Sequence, residues 1–265
     1  MQIHQIKGRH ANSYVIEGDS GLLVIDVAWR GEKYVLGYIR EVLKRDPKDV
    51  TLIICTHDDP DHSGGLSKLA KICHAELGIP YASRSKRRKF ANDPTGLLFR
   101  LATGFREGLR PRAWTMYASP KRSARAKVLP SYLPPSSTPA TNTIKTVDGL
   151  SHQAHSQNQK NNIGDQANHL LKNNAALPLF PEWTVIHTPG HSWDSCCYFH
   201  QKTGSLISGD TLLGSAKKGR LVAPSVYSNP VQMARTLKHL KTRDIRAVYP
   251  GHGRVFEGND LLGHL

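Results

Sequence analysis

The chain has 265 residues, of which 38% are hydrophobic, and a formal net charge of +15 at pH 7. This length accommodates one large domain with a sizeable core. No apolar run approaches the roughly 20 residues of a membrane-spanning helix. Because the hydrophobic share is low and the net charge is high, part of the chain is expected to lie outside the hydrophobic core.

Short apolar runs bounded by Gly, Asp or Pro predict strands, and longer runs with apolar residues on one helical face predict helices. The predicted elements, in chain order, are the strands SYVIEG and GLLVID, the helix EKYVLGYIREVLKR, the strand VTLIIC, the helix GGLSKLAKICHAELG ending at Gly78, the strands WTVIHT and SLISGD, the helix NPVQMARTLKHLKT capped by Asn229, and the strand RAVYPG. Strands that alternate with helices predict an α/β layered fold.

Residues 84–178 interrupt this pattern and are predicted to form a long insertion in a single domain of residues 1–265. Thirteen Lys or Arg and two acidic residues fall within residues 84–127, here called the basic block. Residues 84–117 place apolar side chains at helical spacing, with Arg100 and Arg106 off the stripe, which predicts a basic amphipathic helical lid. Residues 118–178 are rich in Pro, Ser and Asn and predict a flexible segment.

The four cysteines form no C-x-x-C pair, and two of them are adjacent, so neither a thiolate zinc knuckle nor a disulfide framework is expected. The N-terminal residues lack the basic and apolar regions of a secretory signal. These two features predict a reduced protein in the cytoplasm.

Potential metal ligands follow four separate predicted strands. The stretch CTHDDPDHSGG carries four of them, and the full set is His57, Asp59, Asp61, His62, His191, Asp210 and His252. Because α/β folds assemble sites from loops at strand ends, we expect these side chains to lie together. Clustered carboxylates repel each other unless a cation is present, and imidazole with carboxylate suits zinc, iron or manganese. One loop of this kind can serve two ions about 3.5 to 4 Å apart, whereas an acidic turn that caps the helix at Ser63 is the simpler alternative.

The motifs H-x-x-x-D-H, TPGHS, SGD and PGHG, in this order after NSYVIEGDSGLLVIDVAW, resemble the metallo-β-lactamase-fold superfamily, in particular its glyoxalase II and lactonase-like branch. The resemblance implies an αββα sandwich with a dinuclear site at one edge of the two sheets. It implies two groups of ligands bridged by Asp210, namely His57 with His191, and Asp61 with His62 and His252.

Asp59 departs from this family, whose motif H-x-H-x-D-H has a second His at that place. A carboxylate is harder than imidazole, so the first position should accept iron or manganese as well as zinc, the most expected metal. Alternatively, Asp59 does not reach, and only the second position fills tightly. Flavodiiron proteins, a redox branch, resemble THDDPDHSGG through H-x-E-x-D-H-S-G, which makes a di-iron oxidoreductase an alternative. The stretches TPGHSWDSCCYF and YPGHGRVFEG resemble the hydrolytic branch more.

The resemblance therefore implies a hydrolase of a small-molecule substrate, using a metal-bound hydroxide on an ester, thioester, lactone or β-lactam-type carbonyl. Asp61 is then both a ligand and the candidate catalytic residue that orients the nucleophile or carries its proton. Ser192, Trp193 and Tyr227 lie on loops that could line the pocket, or are ordinary packing residues. The basic block leaves two further partners open, nucleic acid for a phosphodiesterase or nuclease, and an anionic membrane surface.

Overall fold

The computed structural model describes residues 1–8, 10–85, 91, 93–109, 164 and 166–265. Its main strands form two six-stranded sheets. The first contains, in spatial order, β1 (Gln2–Lys7), β2 (Asn12–Gly18), β3 (Gly21–Ile25), β4 (Val50–Ile54), β5 (Glu76–Pro80) and β6 (His169–Leu171). The second contains β7 (Ala176–Leu177), β8 (Phe180–His187), β9 (Cys196–His200), β10 (Ser205–Gly209), β13 (Ala247–Pro250) and β14 (Phe256–Glu257), while β11 (Leu213–Ser215) and β12 (Arg220–Val222) form a separate hairpin.

The helices of the described chain are α1 (Glu32–Glu41), α2 (Pro60–Ser63), α3 (Leu66–Cys73), α4 (Gly96–Gly108) and α5 (Pro230–Leu240). Helix α5 begins as predicted, because the Asn229 side chain accepts a hydrogen bond from the Gln232 N–H and Pro230 occupies the first turn. Among the described residues, no helix combines the length and the apolarity that crossing a bilayer requires.

The prediction that the second helix continues to Gly78 is wrong beyond Cys73. The helix ends at His74, which adopts a left-handed conformation with φ 56°. The next residues form β5, which pairs in parallel with β4 and buries Leu77 and Ile79. A short apolar run satisfies the helical and the extended period equally well, so periodicity alone did not separate the two elements.

Alternation along the central strands creates two of the three apolar cores. In β3, Leu23 and Ile25 enter the core between the two sheets, whereas Leu22 and Val24 pack with the core against α1 and α3. The core between the sheets is completed from the second sheet by Trp183, Val185, Tyr198 and Ile207. A third core lies between the second sheet and α5. Two sheets with helices outside each confirm the predicted αββα sandwich.

The insertion is ordered at both of its ends. Helix α4 lies within the stretch predicted as a helical lid, while residues 110–163, which hold most of the predicted flexible segment, lie outside the described residues. The flexible prediction is wrong for His169–Leu171 and Ala176–Leu177, which are edge strands of the two sheets. Leu171 and Leu177 are buried there, so two apolar side chains and backbone pairing suffice to order this polar stretch.

Candidate metal centre

The first cluster consists of His57, His191 and Asp210, whose ligand atoms all lie within 4.8 Å of one another. His57 follows β4 of the first sheet, His191 follows β8 and Asp210 directly follows β10 of the second sheet. All three residues are buried. The cluster therefore lies where the strand ends of both sheets meet.

The second cluster consists of Asp61, His62 and His252, again with ligand atoms within 4.8 Å of one another. Asp61 Oδ2 lies 3.5 Å from His252 Nε2 and 3.8 Å from His62 Nε2. The Asp61 side chain is 37% exposed, whereas His62 is fully buried. Of this cluster, Asp61 is the residue most open to an incoming molecule.

Asp210 contacts both clusters. Its Oδ1 lies 3.4 Å from His62 Nε2, and its Oδ2 lies 3.2 Å from His252 Nε2 and 3.6 Å from His191 Nε2. Burial raises the pKa of the Asp210 carboxyl, but the neighbouring His62 and His252 side chains lower it by more, so the pKa lies well below its usual range. The carboxylate is therefore ionised and available to a cation from either side.

Four buried atoms in these clusters make no hydrogen bond within the described chain: His57 Nε2, His62 Nε2, His191 Nε2 and Asp210 Oδ1. Unsatisfied buried polar atoms are rare in native proteins, and four at one place indicate a missing partner. Ligands about 2.0 to 2.1 Å from a tetrahedral ion stand about 3.3 Å apart. The His–Asp separations of 3.2 to 3.8 Å agree with such a polyhedron, so the residues fit divalent metal.

Three histidines are oriented by the nitrogen that faces away from the clusters. His57 Nδ1 lies 3.0 Å from Thr56 Oγ1, His62 Nδ1 lies 2.9 Å from Asp26 Oδ2, and His191 Nδ1 lies 2.8 Å from Val226 O. A carboxylate and a carbonyl only accept, so they hold the proton on Nδ1 and leave Nε2 free as a metal ligand. The Thr56 hydroxyl donates to Asp26 Oδ2 and can then accept from His57.

Sequence reasoning missed Asp26, which supports this arrangement. Its Oδ1 accepts from the Thr56 N–H at 2.7 Å, and its Oδ2 accepts from the Thr56 hydroxyl at 2.9 Å and from His62. The residue is buried and has φ 60°. The signal was available, because Asp26 ends the predicted strand GLLVID in the way that Asp210 ends SLISGD.

Asp59 lies beside the first cluster, with Oδ2 3.3 Å from His57 Nε2 and 3.5 Å from His191 Nε2. It occupies the N-cap position of α2 without a capping side-chain hydrogen bond, so the alternative of an acidic turn capping the helix does not account for its carboxylate. Burial raises the pKa of Asp59, but the charge of His57 and contacts with His191 and Arg100 lower it by more, leaving it well below its usual range.

Arg100, a second residue missed from sequence, approaches Asp59 from α4. Its guanidinium contacts both carboxylate oxygens, Nη1 to Oδ1 at 3.1 Å and Nη2 to Oδ2. The sequence pattern placed Arg100 off the apolar stripe of the lid but contained nothing to say which face of the helix meets the site.

Two glycines make room for the clusters. A Cβ on Gly251 would overlap Asp210 Oδ1 and stand 2.7 Å from His62 Cε1. Gly190, which precedes His191, has φ 144° and lies against the backbone of Met233, where a side chain would be 2.6 Å from its Cα. The glycines of PGHG and TPGHS are therefore needed for close approach.

A cavity of about 570 Å³ opens beside the clusters. Its lining includes Pro60, Leu97, Arg100, Ser192 and Trp193. Two of the three predicted pocket residues, Ser192 and Trp193, are among them, whereas Tyr227 uses its backbone to contact Thr103 of α4. The size and mixed apolar and polar lining suit a small organic molecule.

Known protein families and curated relatives match parts of the chain. The model of the metallo-beta-lactamase superfamily matches residues 6–123. "Probable metallo-hydrolase YqjP" of Bacillus subtilis is 36% identical over 76 residues, which cover 27% of this chain and 24% of that protein. An atrochrysone carboxyl ACP thioesterase of Aspergillus fumigatus is 32% identical over 73 residues, which cover 28% of this chain and 21% of that protein. The matched regions thus span a quarter or less of the length of these relatives.

Solved structures share the fold at low sequence identity. The metallo-beta-lactamase family protein TTHA1429 from Thermus thermophilus aligns with a TM-score of 0.56 and 16% identity, over 99% of this chain and 77% of that chain. TTHA1623 in a di-iron-bound form aligns with a TM-score of 0.53 and 19% identity, over 99% and 96% of the two chains. The fold predicted from the motifs is the fold of these proteins.

Proposed function

We propose that the chain is a metallo-β-lactamase superfamily protein, whose family model matches residues 6–123, and that it is a metal-dependent hydrolase that cleaves an ester, thioester, lactone or β-lactam-type carbonyl. One observation carries the proposal. Four buried ligand atoms without hydrogen bonds converge from both sheets, three of them on histidines whose Nδ1 partners turn Nε2 toward the clusters. Such an arrangement has no use in packing, because it leaves polar atoms unsatisfied unless an ion binds.

The proposed ligands are the seven residues predicted from the sequence. His57 and His191 would hold one ion, with Asp59 beside it, while Asp61, His62 and His252 would hold the other and Asp210 would contact both. When bound, two divalent ions supply a water of lowered pKa and a Lewis acid for the carbonyl oxygen. Asp61, the most exposed residue of the second cluster, would orient that water and accept its proton on its carboxylate.

The cavity determines which substrates this chain can position. Its lining includes Leu97 and Trp193, against which an apolar acyl group would pack, and Pro60 and Ser192, which adjoin Asp61 and His191 in the chain. We propose thioesters as the first class to test, since a relative that matches 28% of this chain is named as an atrochrysone carboxyl ACP thioesterase. Lactones and β-lactams follow as the other carbonyl classes.

Zinc is the proposed metal, and Asp59 makes iron the alternative. The hard carboxylate beside the first cluster suits iron or manganese better than a third imidazole would, and a protein of the same fold is described in a di-iron-bound form. An iron centre would favour the oxidoreductase function over hydrolysis.

Metal content tests the proposal directly. Wild type and Asp59→His, purified without added metal, are analysed by plasma mass spectrometry and then assayed on thioester, lactone and β-lactam panels. Two zinc ions per chain with carbonyl hydrolysis support the proposal, and two irons favour the oxidoreductase. A chain that binds no ion under any loading condition refutes both functions. A nuclease is recognised by binding to nucleic acid that falls steeply with salt, whereas small-molecule hydrolysis persists across moderate salt.

A further inference from the structure

Helix α4 meets the rest of the protein through polar side chains. Arg100 contacts Asp59, the Thr103 hydroxyl lies 3.3 Å from the Tyr227 N–H that donates to it, and Arg106 donates to Ser225 O at 3.1 Å. The spacing of three residues places these groups on one face of the helix. This face reaches both the loop of Asp59 and the loop of residues 223–229.

Most of the apolar stripe of α4 faces away from these polar contacts, although Leu97 borders the cavity. Five of its side chains are more than half exposed in the described structure, namely Leu97, Leu98, Leu101, Phe105 and Leu109. Within the helix, the buried residues are Gly96 and Thr103. Apolar burial therefore contributes little to holding α4 in place, and the ion pair of Arg100 is its strongest attachment to the described chain.

The ion pair uses the oxygen that faces the first cluster. Arg100 Nη2 contacts Asp59 Oδ2, and the same Oδ2 lies 3.3 Å from His57 Nε2 and 3.5 Å from His191 Nε2. An ion at this cluster would draw on that oxygen and repel the guanidinium. The loop that receives α4 also provides Val226 O to His191 Nδ1, so α4 is linked to the first cluster by a second route besides Asp59.

We propose that Arg100 is a positioning residue that competes with the first ion for Asp59, so that docking of α4 and filling of the first cluster oppose each other. The inference rests on the proposed function, since it requires a dinuclear centre. Coupling of this kind is reciprocal: the docked helix weakens binding of the first ion, and the first ion loosens the helix. Arg100 contacts none of Asp61, His62 and His252, so binding of the second ion should change less than binding of the first.

Zn²⁺ affinity with Arg100→Gln tests the competition. Metal-free protein is titrated with Zn²⁺ against a chromophoric chelator, and the class of ion lost in His57→Ala identifies the first cluster. We expect Arg100→Gln to bind the first ion at least about tenfold more tightly, because a positive charge near the ion is removed. Arg106→Gln removes the same charge and one exposed hydrogen bond of the same helix but leaves the ion pair with Asp59 in place, so it should change the affinity less than about twofold.

A double-mutant cycle separates competition from general charge effects. In an Asp59→Asn background, Arg100 and the first ion no longer compete for a carboxylate. Arg100→Gln should therefore increase the affinity for the first ion much less than it does in wild type. Hydrogen exchange of residues 96–108 provides a second readout: Zn²⁺ should speed exchange in wild type and leave it unchanged in Arg100→Gln.

The results that overturn the inference are distinct from those that overturn the function. If Arg100→Gln lowers the affinity for the first ion or leaves it unchanged while two ions still bind, Arg100 does not compete for Asp59. The inference is then wrong, while the proposed function is unaffected. An equal increase in the affinity for the first ion when Arg100→Gln is made in the Asp59→Asn background also refutes the inference. If wild type and all variants bind no Zn²⁺, the proposed function fails and the inference with it.

Discussion

Asp26→Asn removes a single charge behind His62 and should lower the affinity for the second ion. The substitution keeps the size of the side chain, and Asn tolerates the positive φ of 60° that Asp26 adopts. An amide, however, has one accepting oxygen. If this oxygen serves the Thr56 N–H at the place of Oδ1, the amide NH₂ faces His62 Nδ1 and the Thr56 hydroxyl at the place of Oδ2.

The amide NH₂ at position 26 and the Nδ1–H of His62 are both donors, so they cannot form a hydrogen bond unless His62 changes its tautomer. With Nδ1 accepting, the proton moves to Nε2, the atom that lies 3.4 Å from Asp210 Oδ1 and points into the clusters. A protonated Nε2 cannot bind metal. Loss of a partner of this kind costs about 10- to 100-fold in metal affinity, or about 1.4 to 2.7 kcal/mol.

The assay is a Zn²⁺ competition titration on metal-free Asp26→Asn, with circular dichroism to show that the fold is retained. Asp19→Asn, the same change at an exposed position in the turn between β2 and β3, is the matched control and should leave both affinities unchanged. Unaltered binding of both ions in a folded Asp26→Asn would refute the idea that Asp26 sets the tautomer of His62.

Three further predictions follow from other parts of the structure. Asp210→Ala should lose both ions in mass-spectrometric metal analysis, because this carboxylate contacts both clusters, and a variant that keeps two ions would show that it bridges nothing. Asn229→Ala should lower the free energy of unfolding in urea by about 1 kcal/mol through loss of the α5 cap, with exposed Asn259→Ala as the neutral control; equal stability of both variants would contradict the cap. Burial raises the pKa of all four thiols, to about 11 for Cys73 and Cys197, so the folded protein at pH 8 should not react with a disulfide reagent until urea is added. Rapid reaction of folded protein would refute their burial.

The fold was predictable because its central strands are buried on both faces and are bounded by Gly, Asp or Pro. Runs such as GLLVID and VTLIIC allow few other interpretations. The clustering of the seven ligand candidates was predictable for a related reason, since each follows one of these strands or the turn after it. Their roles as ligands remain predictions that metal analysis must test.

The remaining features depend on contacts that a linear pattern does not contain. Strand β6 lies in a polar stretch and forms because β5 provides a backbone partner. The stripe on α4 predicted a helix but implied nothing about its orientation, and in the structure its polar face, not its apolar face, meets the protein. Arg100 was missed for this reason, although it makes the closest contact with the one residue that departs from the family motif.

Strand β6 is synthesised long after β5, the strand with which it pairs. The edge of β5 is paired at Leu77 by Asn168, which follows 91 residues later in the chain. At about 5 to 20 residues per second, a ribosome needs about 5 to 20 s to cover that interval. During this time β6 is not yet available to pair with the edge of β5, and an unpaired strand edge is the kind of surface on which chains pair wrongly. The length of the insertion thus sets how long β5 waits for the strand that pairs with its edge.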